Sequence, residues 1–230
     1  MKSFKQDLTR YLEEFQGRPG NANAKGYITK TEEFKELGTH DIMYLHECRN
    51  GIHDITALLP EQTEHGVRIS TIAGVLFGPD TSYKEDQGVL EISNFYSPPG
   101  YGYTSLEPGK VGFNVMKLAR AYAAVSGAGM IQGNIVDFAE PGMHEKMKRF
   151  MPVLPAFTSQ NIRLAENFDN QSRAQIRASA EEKGLIDFLE VADEPRVDKY
   201  RRFDLGGGTE QGAETIVAPK APTVSEIKRF

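Results

Sequence analysis

The chain has 230 residues, 39% of them hydrophobic, and a formal net charge of −5. That length supports one sizeable core with appendages, since domains commonly run to about 100–200 residues. The acidic balance argues against general nucleic-acid binding, which needs clustered Lys and Arg in excess over acids. Cys48, the single cysteine, excludes an internal disulfide and any zinc site built on several cysteines.

No apolar run approaches the ~20 residues of a membrane-spanning helix. The opening MKSFKQDLTRYLEEF is charged throughout, unlike a secretory signal, so a soluble, cytoplasmic protein is expected. His40, His46, His53, His65 and His144 are scattered, without a ligand spacing such as H-E-x-x-H. No metal centre is expected from them.

Phe4, Leu8, Leu12 and Phe15 recur at helical spacing within residues 3–16, which predicts an amphipathic helix. GRPGNANAKG ends it, and KTEEFKELG predicts a second short helix. From Asp41, the runs DIMYLHECRN, GIHDITALLP, GVRISTIAGVLFG and GVLEISNFYS are rich in β-branched and aromatic residues and separated by turn formers. They predict four successive strands of a meander. Alternation along 67–73 fades toward AGVLFG, as when a strand enters a sheet centre covered on both faces.

Residues 111–126 carry the strongest helical signal, with Val111, Val115, Leu118, Tyr122 and Val125 on one stripe and Gly127 and Gly129 where a C-cap favours positive φ. MIQGNIVDF predicts the next strand. The strand, helix, strand order over 88–138 then predicts that 88–96 and 130–138 pair in parallel through a right-handed crossover. EPGMHEKMKRFM predicts a further helix with Met143, Met147, Phe150 and Met151 on one face. PVLPAFTSQNIRL predicts a last strand or hairpin, confined to an edge by its prolines. Beyond Leu164 the apolar content falls: a polar helix and a short apolar patch precede an extended arm, DLGGGTEQGAETIVAPKAPTVSEIKRF, with little to bury. The expected organisation is a helical segment at 1–40, a core at 41–164, and a helix plus arm at 165–230.

This order of elements resembles the GNAT family of N-acetyltransferases. The match is closest from LEISNF through PGKVGFNVMKLARAYAAVSGAGMIQGNIVDFAEPGMHEKMKRFM, residues 90–151, and looser over 41–164. The resemblance implies an α/β (α+β) fold: a mixed, mostly antiparallel twisted sheet with a central parallel strand pair, flanked by helices. It implies acetyl-coenzyme A or another acyl-coenzyme A in the gap between the parallel strands, its pyrophosphate on the backbone N–H groups where the long helix begins. Such groups are unpaired and carry partial positive charge, and glycines allow close approach. Gly109, Lys110, Val111 and Gly112 of EPGKVG hold that position here, and Gly133 and Asn134 would orient the thioester.

The pattern departs from the family in three places. Two residues separate the glycines instead of one, Glu107 stands where Gln or Arg is usual, and PPGYGYTSLE lengthens the loop. Glu91 matches the carboxylate that takes the amine proton. The tyrosine that protonates the leaving thiolate is missing: Met147 and Phe150 stand in its place, so Tyr101, Tyr103 or Tyr96 would have to supply the proton. His46 and Glu47 could line the same cleft, but consecutive strand residues face opposite sides, so only one of them can.

Two functions follow from the resemblance. One is an N-acyltransferase moving an acyl group from acyl-coenzyme A to an amine. The other is a non-catalytic GNAT-like interaction protein in a larger assembly, such as a phage virion, toward which the departures point. In that case the N-terminal helix and C-terminal arm would hold protein partners in a homo- or hetero-oligomer, and the location would be the virion.

Overall fold

The computed structural model describes residues 4–16, 23–31, 34, 41–64, 66–80, 88–96, 110–136 and 161–194. All belong to the unit formed by residues 1–196, and the second unit, residues 197–230, lies outside the described residues. The elements in chain order are α1 (Phe4–Gln16), β1 (Lys25–Lys30), β2 (Asp41–Arg49), β3 (Ile52–Thr63), β4 (Gly66–Pro79), β5 (Val89–Tyr96), α2 (Val111–Val125), β6 (Met130–Val136), β7 (Asn161–Asn167), α3 (Asn170–Glu182) and α4 (Ile186–Leu189).

The strands form one seven-stranded sheet in the order β1-β2-β3-β4-β5-β6-β7. Every neighbouring pair is antiparallel except β5 and β6, which run parallel as the helical connection between them requires. Asn50 and Gly51, at φ of 53° and 73°, close β2 onto β3 through a two-residue turn with both residues left-handed, the turn that Asn-Gly favours. The edge strand at the far end is β7, which begins at Asn161. The expected strand over 152–164 is therefore seen from Asn161 onward and continues to Asn167, while 152–160 lie outside the described residues.

Two apolar layers sandwich the sheet. On one face, Val111, Val115, Leu118 and Ala119 of α2 pack with Ile42, Tyr44, Ile55, Ala57, Val75 and Phe77 of the central strands. Phe168, Ala180, Leu185, Phe188 and Leu189 join that same core, so the short apolar patch expected after Leu164 is core, brought in by α3 and α4. On the other face, Tyr11, Leu12 and Phe15 of α1 cover Met43, Leu45 and Leu58. A Cβ at Gly26 would run into Leu12, so the glycine lets α1 lie close over β1. The segment read as a break, ending in KG, is thus the start of β1, a strand that polar Lys25, Thr29 and Lys30 disguise.

Helices α2 and α3 end in the same way. At α2, Ala128 N–H donates to Ala123 O at 3.0 Å and Gly127 N–H to Ala124 O at 3.4 Å, with Gly127 at φ 84°. At α3, Leu185 N–H donates to Ala180 O at 2.8 Å beside Gly184 at φ 64°. These are Schellman caps, which satisfy the last carbonyls and turn the chain back on itself. At its start, α3 is capped by the Asp169 carboxylate, which accepts from Ser172 N–H at 2.6 Å.

Candidate functional site

The parallel pair is short. Val89, Leu90, Glu91 and Ile92 pair with Met130, Ile131, Gln132 and Gly133, and there the pairing stops although β5 runs on to Tyr96 and β6 to Val136. The cause lies in β5. Leu76 pairs with Asn94 and Phe77 with Ile92, which leaves Ser93 as an extra residue, a β-bulge that bends the strand. The Ser93 hydroxyl donates to Leu76 O at 3.2 Å and ties the bulge to β4. Above it β5 stays with β4 while β6 stays with β7. The two parallel strands therefore part beyond Ile92 and Gly133.

The start of α2 lies at the end where they part. Its far end returns to the closed end of the pair, where Gly129 N–H donates to Gly88 O at 2.9 Å. Lys110 is the N-cap, extended at φ −88° and ψ 164°, and its side chain makes no capping hydrogen bond. Val111 and Gly112 are buried, so any contact they offer a ligand is through backbone N–H. Gly133 stands at the fork, and Asn134 is the first β6 residue beyond it. Gly109, Tyr101 and Tyr103 lie outside the described residues, as does the helix expected at 140–151.

Leu90 and Ile92 pack toward α2, so Glu91 faces the opposite side of the sheet. Its partner in the parallel register is Gln132, which sequence reasoning passed over. Gln132 is 1% exposed and its amide N–H donates to the Asp80 carboxylate. That carboxylate can only accept, so it fixes which end of the amide is which. The Gln132 carbonyl oxygen Oε1 is left buried with no hydrogen-bond partner, one residue below the fork. A buried acceptor without a donor costs about 1–3 kcal/mol, and a ligand N–H would remove that cost.

Further across the same face sits a second polar group. Tyr96 passes over Gly74, where a Cβ would strike its ring. Its hydroxyl lies 2.9 Å from Thr56 Oγ1 and donates to Asp54 Oδ1 at 3.3 Å. Burial pushes the Asp54 carboxyl above its ordinary range against hydrogen bonds from Thr56 and Tyr96, and pushes the Tyr96 hydroxyl up to about 12. Glu47, directly opposite Asp54 in the β2–β3 register, is also raised, first by burial, with Arg49 opposing. The Tyr96 hydroxyl is turned to β3, two strands from β5, so it is not placed at the fork.

His46 faces the other way, into the α2 core, as does His53. The Phe188 carbonyl can only accept, so His46 donates to it from Nδ1 at 2.8 Å. Its Nε2 then accepts from His53 Nδ1 at 2.9 Å, which leaves His53 Nε2 facing the Cys48 thiol at 3.4 Å. The thiol also lies 3.4 Å from the Asp193 carboxylate. Burial lowers His46 to about 3 and His53 to about 4 and raises Cys48 to about 12. All three are neutral near pH 7, and the thiol is unsuited to nucleophilic work. Among the described residues no group of His, Cys, Asp and Glu could hold a metal ion. The Asn-Gly turn was the signal for this cluster, since it sets Cys48 beside His53 across the hairpin.

No protein-family model matches the chain, and no curated protein matches it in sequence. Among solved structures it is similar to a GNAT-family protein from Desulfovibrio desulfuricans, at 13% identity and a TM-score of 0.36 over 51% of this chain and 69% of that one. It is similar to the GNAT domain of S. lividans PAT, at 15% identity and a TM-score of 0.38 over 51% and 61%. It is also similar to a cAMP-binding acyltransferase from Mycobacterium smegmatis, at 10% identity and a TM-score of 0.43 over 79% and 65%. Strand order and the forked parallel pair, not these distant likenesses, carry the assignment: the chain has a divergent GNAT-like fold, a mostly antiparallel mixed sheet with one parallel pair, flanked by helices.

Proposed function

We propose that the protein is an N-acyltransferase that moves an acyl group from acyl-coenzyme A to an amine. The observation that carries this reading is the fork at Ile92 and Gly133, opened by the Ser93 bulge at the end where α2 begins. An extended acyl carrier fits between parted strands, and the positive end of α2, whose N-cap Lys110 makes no side-chain capping bond, suits a pyrophosphate. Lys110 stands there to neutralise charge, and Gly112 lets the backbone approach.

Acyl-coenzyme A supplies an acyl group on a thioester. The chain's residues do the rest. Glu91, on the face opposite α2, takes a proton from the ammonium directly or through water. Gln132 Oε1 accepts the other amine N–H and aims the nitrogen's lone pair at the carbonyl. Nitrogen bonds to the acyl carbon as the carbon–sulfur bond breaks, and the proton that nitrogen gives up on becoming an amide passes to the departing thiolate. Carboxylates at Glu47, Asp54 and Glu91 share that face, which favours a cationic acceptor.

The test is thiol release from acetyl-coenzyme A across a panel of primary amines. Glu91→Gln is expected to lower kcat about 10²-fold with donor binding unchanged, in line with loss of one general base. A chain that neither binds acetyl-coenzyme A at millimolar concentration nor releases thiol would instead be the non-catalytic interaction protein.

A further inference from the structure

A separate cavity of about 270 Å³ lies between α2, α3 and the β1–β2 edge of the sheet. Strands β3 and β4 separate it from the fork. It is smaller than the roughly 300–1,000 Å³ typical of drug-sized ligands, so it is too small for a nucleotide-bearing acyl carrier. Nothing in the mechanism above uses it.

Its lining has a consistent chemistry. Tyr27 and Tyr44 form one wall, with ring centroids 6.4 Å apart, and Tyr27 is held from behind by Phe188 at 5.9 Å. Leu118, Ile176 and Leu185 supply apolar surface facing them. Among the described residues, three cations but no acid line the cavity, although the whole chain carries −5. The Arg120 guanidinium is already satisfied: its Nε and Nη2 each donate to the Glu166 carboxylate at 2.6 Å. Lys117 and Lys183 make no ion pair among the described residues; Lys117 only lies 5.6 Å from the Phe113 ring. Two exposed lysines thus line a cavity shared with two tyrosines and apolar side chains, an arrangement that suits a flat body bearing one negative charge.

We propose that this cavity binds a small aromatic carboxylate, with its ring against Tyr27 and Tyr44 and its carboxylate between Lys117 and Lys183. The site stands independently of the acyltransferase reading. Its occupant would bridge α2 and α3, and α2 is the helix whose first turn meets the fork.

Calorimetric titration of the full chain with indole-3-acetate, and with the neutral indole-3-acetamide, tests the proposal. The carboxylate is expected to bind more tightly than the amide by roughly five- to tenfold, as two partly exposed charge contacts allow. In the Lys117→Gln/Lys183→Gln double variant, whose substitutions are exposed and whose folding is checked by thermal melting, that ratio should fall to about one. Ala121→Phe, which fills the lining, should weaken both ligands. Equal binding of acid and amide, an unchanged ratio in the double variant, or no binding of the acid at millimolar concentration would each overturn the proposal.

Discussion

His46 and His53 are buried as neutral rings in a chain of hydrogen bonds that begins at the Phe188 carbonyl, so protonating either one places a charge in a desolvated core, which the Phe188 carbonyl at His46 and the Asp193 carboxylate near His53 offset only in part. Both folded values lie below the ordinary 6.5. The unfolded chain therefore binds more protons between those values, and stability present above about pH 6.5 is lost as pH falls toward about 4 and then 3. The slope approaches roughly 1.4 kcal/mol per pH unit for each histidine. Raised Asp54 and Glu47 act with the opposite sign, so the histidine share is read from the difference between the native chain and His46→Gln. Urea unfolding across pH 4–7 should show a shallower slope in the variant; parallel curves would contradict the network.

Arg120 and Glu166 offer a second check at this scale. The pair is bidentate, but the arginine side chain is 36% exposed, so its worth is discounted to about 1 kcal/mol for Arg120→Ala. That corresponds to a fall in Tm of roughly 2–4 °C. Arg120→Lys should recover little of it, because an ammonium cannot span both carboxylate oxygens. Neither this pair nor Gln132 was legible in sequence, since each depends on which residues meet across strands and helices far apart in the chain. That Glu91 lies on a strand was legible, because the run VLEISNFY carries its own β-rich pattern.

At the scale of elements, the meander, the long helix and its parallel return were readable because each carries its own periodicity, from HECRNGIHD in the hairpin to the valine stripe of α2. The glycine after α2 was readable for the same local reason. Gly127 has a φ of 84°, and no atom lies within 4 Å of where a Cβ would stand, so Gly127→Ala should cost about 1 kcal/mol through backbone strain alone. Gly127→Asn, which tolerates that conformation better, should cost less; equal losses in chemical denaturation would contradict the capping account. The fork was expected only through the resemblance, because no residue pattern announces it. It arises from one extra residue, Ser93, whose bulge exists only relative to β4. Deleting Ser93 should restore regular pairing between β4 and β5, with Phe95 and Tyr96 kept on the faces they now occupy, and remove the bend that parts β5 from β6, with loss of acetyl-coenzyme A binding measured by calorimetry.

Across the whole molecule, the sheet separates two chemistries. The face opposite α2 carries Glu47, Asp54 and Glu91, whereas Lys117 and Lys183 open a cavity on the α2 side. Both ends of the unit take part in its cores: α1 covers one face with Leu12 and Phe15, and the stretch from Phe168 to Leu189 completes the other. In the amphipathic N-terminal helix, Leu12 and Phe15 of the apolar stripe pack, with Tyr11, on its own sheet. The stretch after Leu164 looked polar because α3 exposes most of its surface, and only Ala180 of that helix is buried. Its contribution comes from the apolar residues that α4 and the Schellman turn after α3 bring inward.

The central claim is that the fork receives an acyl carrier, and amide chemical-shift mapping with acetyl-coenzyme A tests it most directly. The account predicts saturable shifts concentrated at Lys110–Phe113 and at Ile92, Gly133 and Asn134, with the Tyr27 and Ser179 amides of the separate cavity unmoved. No shifts at millimolar ligand, or shifts that avoid the first turn of α2 and the fork, would contradict it.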